Sequence, residues 1–375
     1  MRMSSDFDLA KLMTFELSKK KPVHGWFWYK EGFAPEIVER AIDNETEKIV
    51  DPFCGVGTTL LAAKQNRIDS IGVDASPLAV FASKVKTEDY SGEEIQQIRR
   101  FLFSDTKFEE GRWEFELFDP RAAFPKRNYN QILGIRNAIE KQEPKVRNLL
   151  LLALLSILPQ ASIVLKDGGV LKIRKDKRAL PAKEIFKRKV KKMISDLETA
   201  PKGHVPQVYL GDARALDIED GSADLIVTSP PYLNNIDYSK VYGLELSLLE
   251  MSRAMAEETR MRAIRSFIGK DMDVGEMPPE LGETGEQIPI IGTYFKDMEQ
   301  AIAEMHRILK PGREAHIVVS NSVIHQTHVL VDEIFADMAK RIGFSDAEII
   351  VGAERIADVR PQKIKTRESI VKLRK

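Results

Sequence analysis

Two short stretches carry residue types that can do chemistry on a planar amine. The first is Thr228-Ser229-Pro230-Pro231-Tyr232, which follows the apolar run Leu225-Ile226-Val227. A run of that kind predicts a buried strand, so the turn falls at a strand's carboxyl end, where open α/β sheets bind ligands. Proline lacks an N–H and fixes φ, so two in succession make a stiff turn whose carbonyls face no competing donor. The Ser229 hydroxyl and the Pro230 carbonyl can then accept both hydrogens of one exocyclic amine, while Tyr232 offers a ring for stacking. The same letters also suit an ordinary Pro-rich surface turn.

The second stretch lies upstream. Lys48-Ile49-Val50 reads as a strand, followed by Asp51-Pro52-Phe53-Cys54-Gly55-Val56-Gly57-Thr58-Thr59 and the helical pattern Leu60-Leu61-Ala62-Ala63-Lys64. Strand, glycine turn, helix is a nucleotide-binding geometry in which Gly55 and Gly57 let backbone approach a ligand at a helix N-terminus. A further strand, Ser70 to Val73, ends in Asp74, placed to accept hydrogen bonds from a ribose diol. The dinucleotide fingerprint wants a third glycine at position 60, where Leu60 stands, which disfavours NAD.

Together these residues resemble the amino methyltransferases of nucleic acids, which move a methyl group from S-adenosylmethionine to an exocyclic base nitrogen. Asp51 to Thr59 is similar to their cofactor motif and Ser229 to Tyr232 to their catalytic motif. Serine as the first catalytic letter points to the cytosine-N4 branch; aspartate is more usual in adenine-N6 and some RNA guanine enzymes. His24 to Phe33 is similar to the segment that folds over the cofactor's methionine part, which implies Tyr29, Lys30, Gly32 and Phe33 as cofactor contacts, with Ala75 beside Asp74. Gly211-Asp212-Ala213 is similar to the acidic turn that holds the adenine amine. The resemblance also places the flipped base near Asn235, Asp237 and Tyr238. It covers roughly residues 20–85 and 205–375.

The cytosine amino nitrogen is a poor nucleophile because its lone pair is delocalised, and two acceptors on its hydrogens aim that lone pair. Attack on a sulfonium methyl is then direct, with catalysis from orientation and from acceptors matched to the developing positive charge. Cytosine-C5 chemistry needs a cysteine nucleophile instead. Cys54, the sole cysteine, lies in the cofactor loop and reads as a packing residue.

One cysteine excludes a disulfide framework, and the six histidines show no zinc-ligand spacing, so no metal is expected. The N-terminus lacks a signal-peptide apolar region, and the longest apolar run, Leu149 to Leu158, is half a membrane span, so a cytoplasmic enzyme is expected. With 57 basic and 57 acidic residues the net charge is zero, so any nucleic-acid contact must come from a local patch. Between Lys172 and Lys192 lie eleven Lys or Arg, including Lys187, Arg188 and Lys191, against Asp176 and Glu184. That stretch is the candidate phosphate footprint, though charge runs are often solvated helix faces.

The elements that must position these residues form an α/β fold. We expect a class I methyltransferase domain, Rossmann-like, with a seven-stranded, mostly parallel sheet, helices on both faces and an antiparallel hairpin at the C-terminal edge. The cofactor half is residues 1–85. Residues 86–204 read as a mainly helical insertion for substrate recognition, with helices over Glu94 to Phe103, Tyr129 to Ile139 and Val146 to Leu158. Phe115, Phe118, Phe124 and Tyr129 read as its core. Residues 205–375 form the catalytic half, with Gly269 to Gly292 as a lid loop and Arg355 to Arg367 as a basic loop. DNA is the resemblance's majority substrate; structured RNA, adenine-N6 or guanine-N2 methylation, and a binding module without chemistry stay open.

Overall fold

The computed structural model describes residues 2–29, 32–104, 113–116, 119–167, 170–234, 238–266, 278–281, 288–359 and 362–375. Twelve strands run in chain order among them: β1 (Arg2–Ser5), β2 (Lys48–Asp51), β3 (Asp69–Asp74), β4 (Val164–Asp167), β5 (Val170–Ile173), β6 (Gln207–Leu210), β7 (Ala223–Thr228), β8 (Leu309–Ser320), β9 (Ser322–Ile324), β10 (Thr327–Val329), β11 (Asp346–Val359) and β12 (Gln362–Arg374). The helices are α1 (Glu36–Ala41), α2 (Thr58–Gln65), α3 (Pro77–Thr87), α4 (Gly92–Phe103), α5 (Lys126–Ile139), α6 (Pro144–Ala161), α7 (Ala182–Leu197), α8 (Tyr238–Val241), α9 (Gly243–Leu248), α10 (Arg253–Arg262), α11 (Pro289–Ile308) and α12 (Val331–Ile342).

The main sheet has the order β1-β11-β12-β8-β7-β2-β3-β6. Strands β6, β3, β2, β7 and β8 are parallel, so their carboxyl ends share one edge; β12 runs antiparallel between β8 and β11. These seven strands form the class I methyltransferase sheet. The eighth, β1, pairs in parallel with β11, so the C-terminal hairpin is not the outermost element. Four exposed polar-rich residues, Arg2 to Ser5, gave no alternating apolar signal; backbone pairing holds them, with an Arg2–Asp346 ion pair beside it.

Position β7 is central and every residue of it is buried, as its unbroken apolar character requires between two helical layers. Asp224, at its start, accepts from the Glu47 and Lys48 N–H groups at 3.2 and 2.9 Å and from Lys310 Nζ at 2.6 Å. That fixes β2 and β8 in register with β7, and so fixes the heights at which Asp51 and Ser229 emerge.

Helices α4 to α7 lie between β3–α3 and β6, with the β4–β5 hairpin. Ser91 and Glu94 form a capping box that starts α4. Helix α6 runs through Pro159 to Ala161, one turn past the expected stop, with the proline inside its last turn. Its Leu149, Leu152, Leu154 and Leu158 are fully buried, and no described helix is long and apolar enough to cross a membrane. Among the described residues the inserted helices share their core with the rest of the chain: Trp26 and Phe27 of the N-terminal segment, Leu78 of α3, Leu150 of α6, Phe186 of α7 and Tyr242 beside α9 belong to one apolar cluster. Phe124 and Tyr129 pack in it as expected, both against Trp113, which the sequence reading did not include; Phe115 packs against it, and Phe118 lies outside the described residues.

Candidate active site

The loop after β2 and the end of β3 build one wall of a cleft at the sheet's carboxyl edge. Asp51 is 2% exposed and its Oδ1 accepts from the Phe53 N–H at 3.1 Å and from Thr228 Oγ1 at 2.6 Å. Asp74 Oδ2 accepts from the Gly55 N–H and Oδ1 from the Ser76 N–H, both at 2.8 Å. Burial pushes both carboxyls up to about 6 against those bonds. Gly55 takes φ +49°, a left-handed conformation that its missing side chain permits, and faces the Tyr29 ring. Gly57, also left-handed at +79°, is not among the residues that line the cleft; a Cβ there would lie 2.4 Å from Ser83 Oγ, so this glycine allows α2 to start against α3.

Tyr29, Gly32, Phe33, Asp51, Pro52, Phe53, Gly55, Thr58, Asp74, Ala75 and Ala213 line the cleft. Lys30 lies outside the described residues. Thr59 is buried behind the wall, its hydroxyl donating to the Val227 carbonyl at 3.1 Å. Asp212 is not at the cleft; its carboxylate is held by Arg214 Nε and Nη2, with Nη2 at 2.7 Å from Oδ2, because the two residues share one tight turn. Tyr29 stacks on Tyr242 with centroids 4.8 Å apart, and Lys166 Nζ sits 3.9 Å from the Tyr242 ring while pairing with buried Glu245 at 2.6 Å. The β4–β5 hairpin therefore props the segment that closes over the cofactor wall. Cys54 packs with Leu60, Val80 and Val208, and burial raises its thiol well above the usual range.

The turn after β7 forms a second wall. Ser229, Pro230 and Pro231 line the same cleft as Asp51 and Asp74. Ser229 Oγ donates its single hydrogen to the Val318 carbonyl of β8 at 3.1 Å, so toward any other partner this oxygen can only accept. Tyr294 of α11, buried at 1% exposure, donates its hydroxyl to the Pro231 carbonyl at 3.0 Å and fixes the turn from behind. Tyr232 is buried and does not line the cleft; the Asn234 N–H donates to its carbonyl. Asn235 and Asp237 lie outside the described residues, and Tyr238 begins α8.

Sequence reasoning missed a third wall. Thr259, Arg260 and Arg262 of α10, with Ala263, Ile264 and Ser266 after it, also line the cleft. Asp297, 1% exposed, anchors this wall: it accepts Arg214 Nη1 at 2.9 Å, Arg265 Nη2 at 2.7 Å and the Arg265 N–H at 3.0 Å. Burial alone would raise Asp297, but its bonds to Arg265 and the neighbouring guanidinium charges outweigh that and hold it low. Arg214 also reaches the Met261 carbonyl at 2.6 Å. Helix α10 is too polar to show an apolar stripe, so only the buried Asp297 hinted that something packs there.

The basic stretch does not form one surface. Lys177 donates to the Pro159 and Val164 carbonyls, Arg174 pairs with Asp176, and Lys189 donates to the Gly25 carbonyl at 3.0 Å. Asp196 of α7 accepts Trp26 Nε1 at 2.8 Å, so the inner face of this helix holds the N-terminal segment. Arg188 and Lys191 are exposed on its outer face and Lys187 is half-buried.

The chain is similar over most of its length to the Type II methyltransferase M.BsoBI of Geobacillus stearothermophilus, at 25% identity covering 92% of this chain and 83% of that protein. M.AvaI of a Nostoc species is 26% identical over 91% of this chain and 83% of its own length. A shorter match, 36% identical over 105 residues, covers 27% of this chain and 20% of M.MjaII of Methanocaldococcus jannaschii. No family model matches. With this fold and these methyltransferase relatives, the cofactor is S-adenosylmethionine. The walls fit it: carboxylates at the ends of β2 and β3, a left-handed glycine against an aromatic ring, and apolar Phe33, Phe53 and Val56.

Proposed function

We propose that this protein transfers the methyl group of S-adenosylmethionine to the exocyclic N4 amine of cytosine in DNA. The observation that carries this reading is the Ser229 hydroxyl, whose hydrogen is engaged by Val318 while the residue faces the cofactor cleft. Its lone pairs and the Pro230 carbonyl are the two acceptors that an amino group needs. The cofactor supplies an electrophilic methyl; the protein supplies orientation. Ser229 and Pro230 draw the amine's hydrogens, Tyr294 keeps the turn from relaxing, and Thr228 ties the turn to Asp51 of the cofactor wall. Gly55, Asp74, Ala75, Tyr29 and Phe33 bind the nucleoside and methionine parts. The base leaves its helix to reach the turn, and Asn235, Asp237 and Tyr238 are its candidate contacts, to the base edge or to phosphate. Arg188 and Lys191, with Lys187, meet backbone phosphate. DNA is assigned from the two long Type II methyltransferase matches.

The test is mass spectrometry of nucleosides after incubating the purified protein with labelled cofactor and, separately, DNA or RNA. N4-methyldeoxycytidine is expected; N6-methyldeoxyadenosine, or label in RNA alone, would overturn the assignment. Ser229→Ala should lower single-turnover rate by roughly a hundredfold while cofactor affinity holds.

A further inference from the structure

The hairpin β11–β12 outgrows the sheet. Strand β12 pairs with β8 only from Glu368 to Arg374, and β11 pairs with β1 only from Glu348 to Val351. Beyond that level, Glu354 to Val359 and Gln362 to Arg367 pair with each other alone. Because β11 runs parallel to β7 and β8, this two-stranded ribbon leaves the sheet at the carboxyl edge, the edge that carries the catalytic turn. Glu368 stands opposite Ser320, two residues past the Val318 carbonyl that holds Ser229. Six residues at about 3.4 Å each project the ribbon roughly 20 Å past the edge, and three strand spacings put it about 15 Å to one side of β7.

The root is fixed. A register shift between Val351 and Ala353 turns the ribbon, and Gly352 there has no room for a side chain: a Cβ would lie 2.6 Å from the Met13 sulfur. Asp332, fully buried, accepts Arg367 Nε at 2.7 Å and Ser369 Oγ at 2.8 Å, and Arg367 also pairs with Glu333 at 2.6 Å. Arg355 pairs with Glu368 at 2.7 Å. From Glu354 to Arg367 the sequence holds five basic and two acidic residues. Ile356 is 70% exposed, and Glu354, Arg355, Lys363 and Lys365 are exposed beside it.

We propose that this ribbon enters the major groove of the duplex beside the extruded base and fixes the protein's register on it. This rests on the DNA reading above. The groove is about 12 Å wide and admits a two-stranded ribbon, whereas the deep groove of an RNA duplex is too narrow. Lys363, and Lys365 in exchange for its ion pair with Glu354, reach phosphates on the groove walls, and the exposed Ile356 gives apolar contact to thymine methyls.

The experiment compares wild type with I356S/K363E/K365E on a duplex of about three turns, roughly 30 base pairs. Binding is read by fluorescence anisotropy over a salt series, cofactor affinity by calorimetry and folding by thermal melting. The expected result is an affinity loss of about tenfold or more and a shallower salt slope, with cofactor affinity and melting unchanged. A second variant, I356C, carries the only accessible thiol, since Cys54 is buried; a thiol-linked photo-crosslinker there should capture bases of the duplex. Wild-type duplex affinity in the triple variant, with wild type methylating DNA normally, overturns the ribbon's role and leaves the function intact. A wild type that neither binds nor methylates duplex overturns both. If I356S/K363E/K365E instead changes oligomeric state with duplex affinity unchanged, the ribbon's partner is a second copy and the proposal fails.

Discussion

Charged residues meet two different fates in this molecule. At the strand ends, Asp51 and Asp74 are stripped of water and raised to about 6, yet each is held by backbone N–H groups at a cleft wall. Behind the N-terminal segment, Lys86 and Lys189 are also stripped of water. Burial, joined for Lys86 by the charge of Lys189, lowers it to about 7; burial, with Lys192, lowers Lys189 to about 8. Their ammonium groups donate to the Val56 and Gly25 carbonyls. The carboxylates stand where a ligand can use them, and the lysines hold the backbone that presents the ligand site. Charge in a sequence therefore says little until its partner is known.

The comparison breaks most strongly at its mechanical joint. Gly57→Val puts a branched side chain into a left-handed position against Ser83, which should cost about 3 kcal/mol or more in stability, read as a lowered denaturant midpoint. A melting profile equal to wild type would show that α2 and α3 can part without loss. At the cleft, Asp74→Ala should weaken cofactor binding by about 1–3 kcal/mol in calorimetry, since a charged acceptor and the Gly55 tether both go. The pH dependence follows from the raised carboxyls. A folded value near 6 against an ordinary one near 4 means the ligand-free fold binds protons more tightly, so its stability falls as pH rises between those values. Cofactor affinity runs the other way, rising through pH 6 as Asp74 ionises, and a flat affinity between pH 5 and 7 would refute the diol role. The smallest effect belongs to the outer face of α7. Reversing Lys187, Arg188 and Lys191 to Glu should reduce the salt slope of DNA binding by about two to three, with no change in cofactor affinity.

Both motif turns were legible because each is local: an apolar strand, a turn whose letters fix its backbone, and then a helix or loop. Helices α4, α5 and α6 were legible for the same reason, through apolar spacing, whereas α7 was read only as a charge run. What was not legible is contact between distant positions. The Tyr294 hydroxyl reaches Pro231 across 63 residues, and nothing in a helix start reports that. The α10 wall is polar and is held by Asp297 from another helix, so periodicity passes over it. The expected basic loop after Arg355 is mostly strand, because β-branched and charged residues alternate there and backbone pairing decides. The lysine stretch gave its composition correctly and hid its division between structural carbonyls and solvent.

The single apolar cluster that joins the N-terminal segment, the inserted helices and Tyr242 bears on how such an enzyme can acquire a new target. Exchanging α4 to α7 for the equivalent block of another methyltransferase would strip Trp26, Phe27 and Tyr242 of the surfaces that bury them, and the Tyr242 ring on which Tyr29 stacks would lose Lys166 from among its partners. The inserted helices are not a detachable cassette in this scaffold. Change in them must come residue by residue on outward faces, while the inward faces remain bound to the N-terminal segment and Tyr242.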